Sequence, residues 1–166
     1  MAGRDRAILD MLYARISRGV TNGDLHNHVG GDGGILYSYL ILPAHGMSGT
    51  IAASTTMFLP PFNYGLNTLR LNLTLPRGGT LKNFRWNTNT AQPGTGSLVG
   101  TVDVNNAGSI ITATVAAGGA AQQVSDLTHT VVANGGDSVT FRFVNNATGA
   151  SGQIGGCSIE FEMQTG

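Results

Sequence analysis

The segment LHNHVGGDGG, residues 25–34, sets His26 and His28 one residue apart and follows them with a run of glycines. In an extended chain, residues i and i+2 point to the same side. The two imidazoles therefore share a face and Asn27 takes the other. Imidazole nitrogens bind first-row transition metals, and six of them suit an octahedral ion. One chain supplies two; three parallel chains meeting at an axis would supply six, with the glycines letting the backbones approach closely. A pair of solvated histidines in a polar linker, holding no metal, is the plain alternative. Asp24 and Asp32 offer another, since carboxylates with loop carbonyls suit calcium, although their spacing is not that of an EF-hand.

Catalytic arrangements are harder to find. His26, His28 and Asp32 loosely mimic the metal motif of cupins, which are small jelly rolls. Cupin histidines lie on a barrel strand, however, and these precede the β-region. Neither His45 nor His129 stands at the spacing a third ligand needs, and a catalytic metal requires that ligand and an open position. No G-x-S-x-G elbow occurs, and GGDGG lacks the Lys and Ser/Thr of a P-loop. Glu160 and Glu162 alternate on one face of the last strand and read as solvated. His129, in phase with Leu127 and Val131, reads as a core or interface histidine. No enzyme is expected.

Three kinds of element must position these residues. Residues 4–18 read as a helix, with Asp5 in the first turn, Arg15 and Arg18 in the last, and Gly19 as the C-cap. Ile8, Leu9, Leu12 and Ile16 form its apolar stripe, too short to stand alone in water. They are expected to dock on a partner or on sister chains; a helix folded back on the core is the alternative. Residues 20–34 are the Gly-rich H-x-H linker. From residue 35 to 166 the period is two, in runs such as LNTLRLNLTLP, TLKNFRWNTNT and DSVTFRFVNN, with turn chemistry at NNAGS, AAGGA and ANGGD. LNTLRLNLTLP is the most regular, with Leu69, Leu71, Leu73 and Leu75 on one face and Arg70, Asn72 and Thr74 on the other. About eight to nine short strands at this spacing predict a mainly β fold, an antiparallel β-sandwich or jelly roll.

Composition narrows the partners. Nine basic and nine acidic residues cancel, so no net field draws nucleic acid or an anionic membrane. Neither partner is expected, and no apolar run is long enough to span a bilayer. The N-terminus lacks the apolar core of a signal peptide, so no export is expected. The single cysteine, Cys157, excludes an internal disulfide and reads as a small buried hydrophobe. Charged residues are only 11% of the chain, against about 25% usually. So weakly charged a domain is expected to cover apolar surface by association.

The stretch LPRGGTLKNFRWNTNTAQPGTGSLVGTVDVN, continued by AAGGAAQQVSDLTHTVVANGGDSVTFRFVNNATGASGQIGGCSIEFE, resembles a module of tailed-bacteriophage and prophage virion proteins across about residues 50–163. It departs from that module at Asn83, Phe84, Arg85 and Trp86. The linker resembles the H-x-H and GGDG segment of phage fibre proteins, although those usually carry several H-x-H pairs and this chain has one. These resemblances imply a homotrimeric jelly-roll head in a virion. They also imply an iron or similar transition metal on the three-fold axis, held by His26 and His28 of three chains, and no other cofactor. The N-terminal helix would attach to capsid or tail proteins, and the head would bind a host-surface glycan or protein as a tail fibre or spike. A capsid decoration protein that clamps neighbouring subunits is the alternative. Aromatic and amide groups suit sugars, which makes Trp86, Asn87, Asn89, Asn145 and Asn146 the receptor-facing candidates. Trp86 is in phase with Phe84 and reads equally as core.

Overall fold

The computed structural model describes residues 37–44, 49–63 and 65–164. The expected helix with Ile8, Leu9, Leu12 and Ile16, the linker with His26 and His28, and His45 all lie outside the described residues. Eleven strands follow in order: β1 (Tyr37–Ala44), β2 (Gly49–Ile51), β3 (Thr55–Leu59), β4 (Leu73–Thr74), β5 (Gly79–Thr88), β6 (Leu98–Val104), β7 (Ala107–Val115), β8 (Gln123–Asp126), β9 (Val131–Ala133), β10 (Ser138–Asn145) and β11 (Gly152–Gln164). One sheet has the order β1-β11-β5-β8, with β2 also on β11 and β9 also on β5. The other has the order β3-β10-β6-β7, with β4 also on β10. The pairs β10–β6, β6–β7, β11–β5 and β5–β8 are antiparallel. The described residues thus form an antiparallel β-sandwich.

Alternation along the strands makes the core. In β10, Val139, Phe141, Phe143 and Asn145 are buried, while Arg142 and Val144 between them are half-buried on the outer side. Leu81, Phe84 and Trp86 of β5 and Ile154, Ile159 and Phe161 of β11 meet them from the other sheet. Two aromatic pairs join the layers. Phe84 stacks on Phe141 at 5.6 Å, and Trp86 meets Phe143 edge-on at 5.3 Å. Each such side chain contributes about 1.5–3 kcal/mol through burial, and the preferred ring geometry adds about 0.5–1.5 kcal/mol more. Gly100 of β6 makes room for Trp86 against the opposite sheet. A Cβ there would stand 2.6 Å from the indole nitrogen.

Two expectations about strands are corrected. The regular-looking LNTLRLNLTLP is a strand only at Leu73–Thr74, which pairs with β10. Before that it is a strap over the outer face of the second sheet. Its polar side faces the protein: Arg70 pairs with Asp103 at 3.1 Å, lies over the Phe58 ring at 4.6 Å and donates to the Asn106 carbonyl. Leu69 and Leu71 are consequently exposed, at 68% and 44%. Period-two alternation is present, but a buried carboxylate has claimed the polar side. The second correction concerns QQVSDLTHTVVA, which is β8 and β9 with a break between them. Asp126 accepts hydrogen bonds from the backbone N–H of Thr128 and of His129, turning the chain there. His129 is therefore a half-exposed partner of Asp126, with a side chain 52% exposed, and not a core histidine.

Candidate functional site

The outer face of the β1-β11-β5-β8 sheet carries a hollow of about 290 Å³, lined by Pro43, Arg85, Asn87, Gln123, Gly156 and Ser158, with Trp86 and Cys157 at its floor. Strand pairing fixes its layout. Arg85 lies between Ser158 of β11 and Ser125 of β8, and Asn87 lies between Gly156 of β11 and Gln123 of β8. Burial of Phe84, Trp86 and Thr88 turns Arg85 and Asn87 outward. Pro43 stands on the outer side of β1 because Leu42 and Ala44 are buried.

Irregularities in two strands give the face its shape. The register of β11 against β5 shifts between Ile154 and Gly156 and again between Ser158 and Glu160. Opposite the second shift, Asn83 takes a φ of 55°. Such bulges bend a strand and re-aim its side chains. At the first bulge Gly155 leaves room for two amides, since a Cβ there would lie 2.3 Å from the Asn89 side-chain oxygen and 2.4 Å from the Asn87 amide nitrogen and would displace them. Asn87 and Asn89 close over that bare backbone, joined by a 3.3 Å hydrogen bond. Gly156 leaves the hollow open.

The sequence-predicted receptor residues separate. Trp86 is 1% exposed and donates its Nε1–H to the Ala113 carbonyl at 3.2 Å, so it is core and cannot face a receptor. Asn145 is 0% exposed. Its amide donates to the carbonyls of Ile51, Ala52 and Ala150, and its oxygen accepts from Gln92 and from the Ala147 backbone. It ties the end of β10 to its neighbours, because a buried amide must satisfy its donors and acceptor internally. Asn146 is exposed and donates to the Ser97 hydroxyl at 3.2 Å. Of the five, Asn87 lines the hollow with an outward side chain, Trp86 lies buried beneath its floor, and Asn89 stands beside it. Arg85, Gln123 and Ser158 were not among the candidates. The signal for Arg85 was present in FRWN: with Phe84 and Trp86 inside, Arg85 must point out.

Several other charged groups are tied up in the framework. Asp103, with no exposed side-chain surface, accepts from Arg142 Nε at 3.0 and 3.1 Å and from Arg70 at 3.1 Å. Lys82 meets Glu162 at 2.6 Å, and Asn83 donates to Glu160 at 2.7 Å. Asp126 is 6% exposed; burial pushes its carboxyl up. Hydrogen bonds from the Thr112 N–H, the His129 ring and the backbone of His129 and Thr128 outweigh that and hold it well below the usual range. Burial pushes the Cys157 thiol well above its ordinary value, leaving it a poor nucleophile. Among the described residues no three His, Cys, Asp or Glu side chains converge as a metal site. Among them, too, no helix is long and apolar enough to cross a membrane.

No protein-family model and no curated protein matches this chain. Among solved structures it is similar to the dimeric latent PorU of Porphyromonas gingivalis, with a TM-score of 0.43 and 10% identity over 77% of this chain and 13% of that one. It is also similar to a family 35 carbohydrate binding module from Clostridium thermocellum, with a TM-score of 0.35 and 12% identity over 75% and 95% of the two chains. A third is the CBM35 of Paenibacillus barcinonensis, with a TM-score of 0.32 and 11% identity over 76% and 91%. The chain spans only 13% of the PorU length.

Proposed function

We propose that this chain is a structural protein of a tailed-phage virion, a trimeric tail fibre or spike component whose sandwich head binds the host surface. The N-terminal segment attaches it to the particle, and His26 and His28 of three chains hold a transition metal at the trimer axis. The head, in this reading, is a jelly roll. Strands β1, β11, β5 and β8 facing β3, β10, β6 and β7 is the order expected of two interleaved Greek keys.

One observation carries the binding role. A sandwich needs only the inner faces of its sheets for the core, yet the outer face of the β1-β11-β5-β8 sheet is bulged into a hollow lined by amide, hydroxyl and guanidinium groups. These groups donate and accept hydrogen bonds. Such a lining suits the binding of a polar ligand, and the reading is of a binding protein. The sequence resemblance to virion modules supplies the setting. Antibody labelling of virions followed by electron microscopy tests it. Label at the distal tail is expected; label spread over the capsid shell would overturn the fibre reading.

A second reading, capsid decoration, is favoured by a different observation. Leu69 and Leu71 are exposed side by side on the strap, and adjacent exposed leucines suit contact with another protein. Capsid-shell labelling is its expected result.

A further inference from the structure

We infer that the hollow on the β1-β11-β5-β8 sheet takes a carboxylate-bearing sugar residue, with the Arg85 guanidinium on the carboxylate and Asn87, Gln123 and Ser158 on the hydroxyls. The inference rests on the host-binding reading above and gives it a ligand class. Its first support is the state of the charges. Arg70 and Arg142 share Asp103, and Lys82 meets Glu162. Arg85 is exposed and has no ion-pair partner among the described residues. Glu160, on the same face, accepts from Asn83. A planar guanidinium with its fork open matches a carboxylate through two parallel hydrogen bonds.

The second support is what surrounds that cation. Asn87, Gln123 and Ser158 bring neutral groups that donate and accept at once, as sugar hydroxyls do. Pro43 adds one apolar wall for the C–H face of a ring. One cation balances the single charge of a carboxylate, but not the nearly double charge of a phosphomonoester at neutral pH. A peptide ligand would call for deeper apolar pockets than this lining offers. The volume, about 290 Å³, lies at the small end of the roughly 300–1,000 Å³ of ligand clefts. It holds one residue of a longer polysaccharide.

The test applies the full chain to an array of uronate-bearing, sialate-bearing and neutral oligosaccharides, followed by calorimetry with the tightest binder and with inorganic phosphate. Binding confined to the acidic glycans is expected. Arg85→Gln should weaken it about ten- to hundredfold, as loss of a hydrogen bond to a charged group does, with an unchanged melting temperature because Arg85 is exposed. Arg85→Gln binding like the wild type would overturn the inference, as would phosphate displacing the sugar at equal concentration. Neutral glycans binding as tightly, with loss on Asn87→Ala or Gln123→Ala, would overturn the acidic preference and leave the host-binding reading standing. Silence over the whole array would overturn both the acidic site and glycan binding on this face; the virion labelling then judges the fibre assignment separately.

Discussion

Trp86 and Asp126 show how single side chains set the limits of this molecule. Trp86 bridges the two sheets, edge-on to Phe143 and hydrogen-bonded to Ala113. Trp86→Ala should therefore cost about 3–5 kcal/mol of stability, read from the denaturant midpoint. A small effect would mean the indole is not packed as described. Gly100→Ala should destabilise as well, because its Cβ meets both the indole and Phe143 at 3.0 Å or less. Asp126 governs acid stability. A carboxylate held below its unfolded value of about 3.8 binds protons more weakly when folded. Its contribution is complete above that unfolded value and drains away as the pH falls toward the folded one. Denaturant titrations from pH 6 to pH 3 should show Asp126→Asn less stable than the wild type at pH 6. The variant's stability should fall less steeply below pH 4. Parallel curves would contradict this.

At the scale of elements, the strap before β4 offers the sharpest contrast. Arg70 faces Asp103, while Leu69 faces solvent. Arg70→Ala should cost about 1–3 kcal/mol, since a buried carboxylate loses one of its two guanidinium partners. Leu69→Ser should stay within about 0.5 kcal/mol. The reverse ranking would restore the strand that period-two alternation suggests. Part of the fold was legible from such alternation: DSVTFRFVNN turns Val139, Phe141 and Phe143 inward, and Phe84 and Trp86 are in phase in TLKNFRWNTNT, but the bulge at Asn83 breaks their phase with the equally buried Leu81. NNAGS was legible as a turn, and the structure makes it a two-residue hairpin with Asn105 and Asn106 both at positive φ. What stayed hidden depended on distant partners. Nothing local to LRLNL reveals that Asp103 will be buried under it, and nothing local to Asn145 reveals the carbonyls of Ile51 and Ala150 waiting for its amide. The hollow was hidden for the same reason, because its rows come from four strands.

For the whole molecule, the proposed function requires chains to act in threes. Under that proposal, association serves display and attachment as well as covering apolar surface. A trimer presents three copies of the β1-β11-β5-β8 face, and weak sugar contacts multiply when several are engaged together. If His26 and His28 meet at the axis, elemental analysis of purified protein should find one transition metal for every three chains. His26→Ala should remove the metal and lower the melting temperature. The most direct measurement is light scattering of the purified full chain at micromolar concentration. The expected mass is three times the 17.2 kDa of a single chain. A stable species of 17.2 kDa would contradict the account.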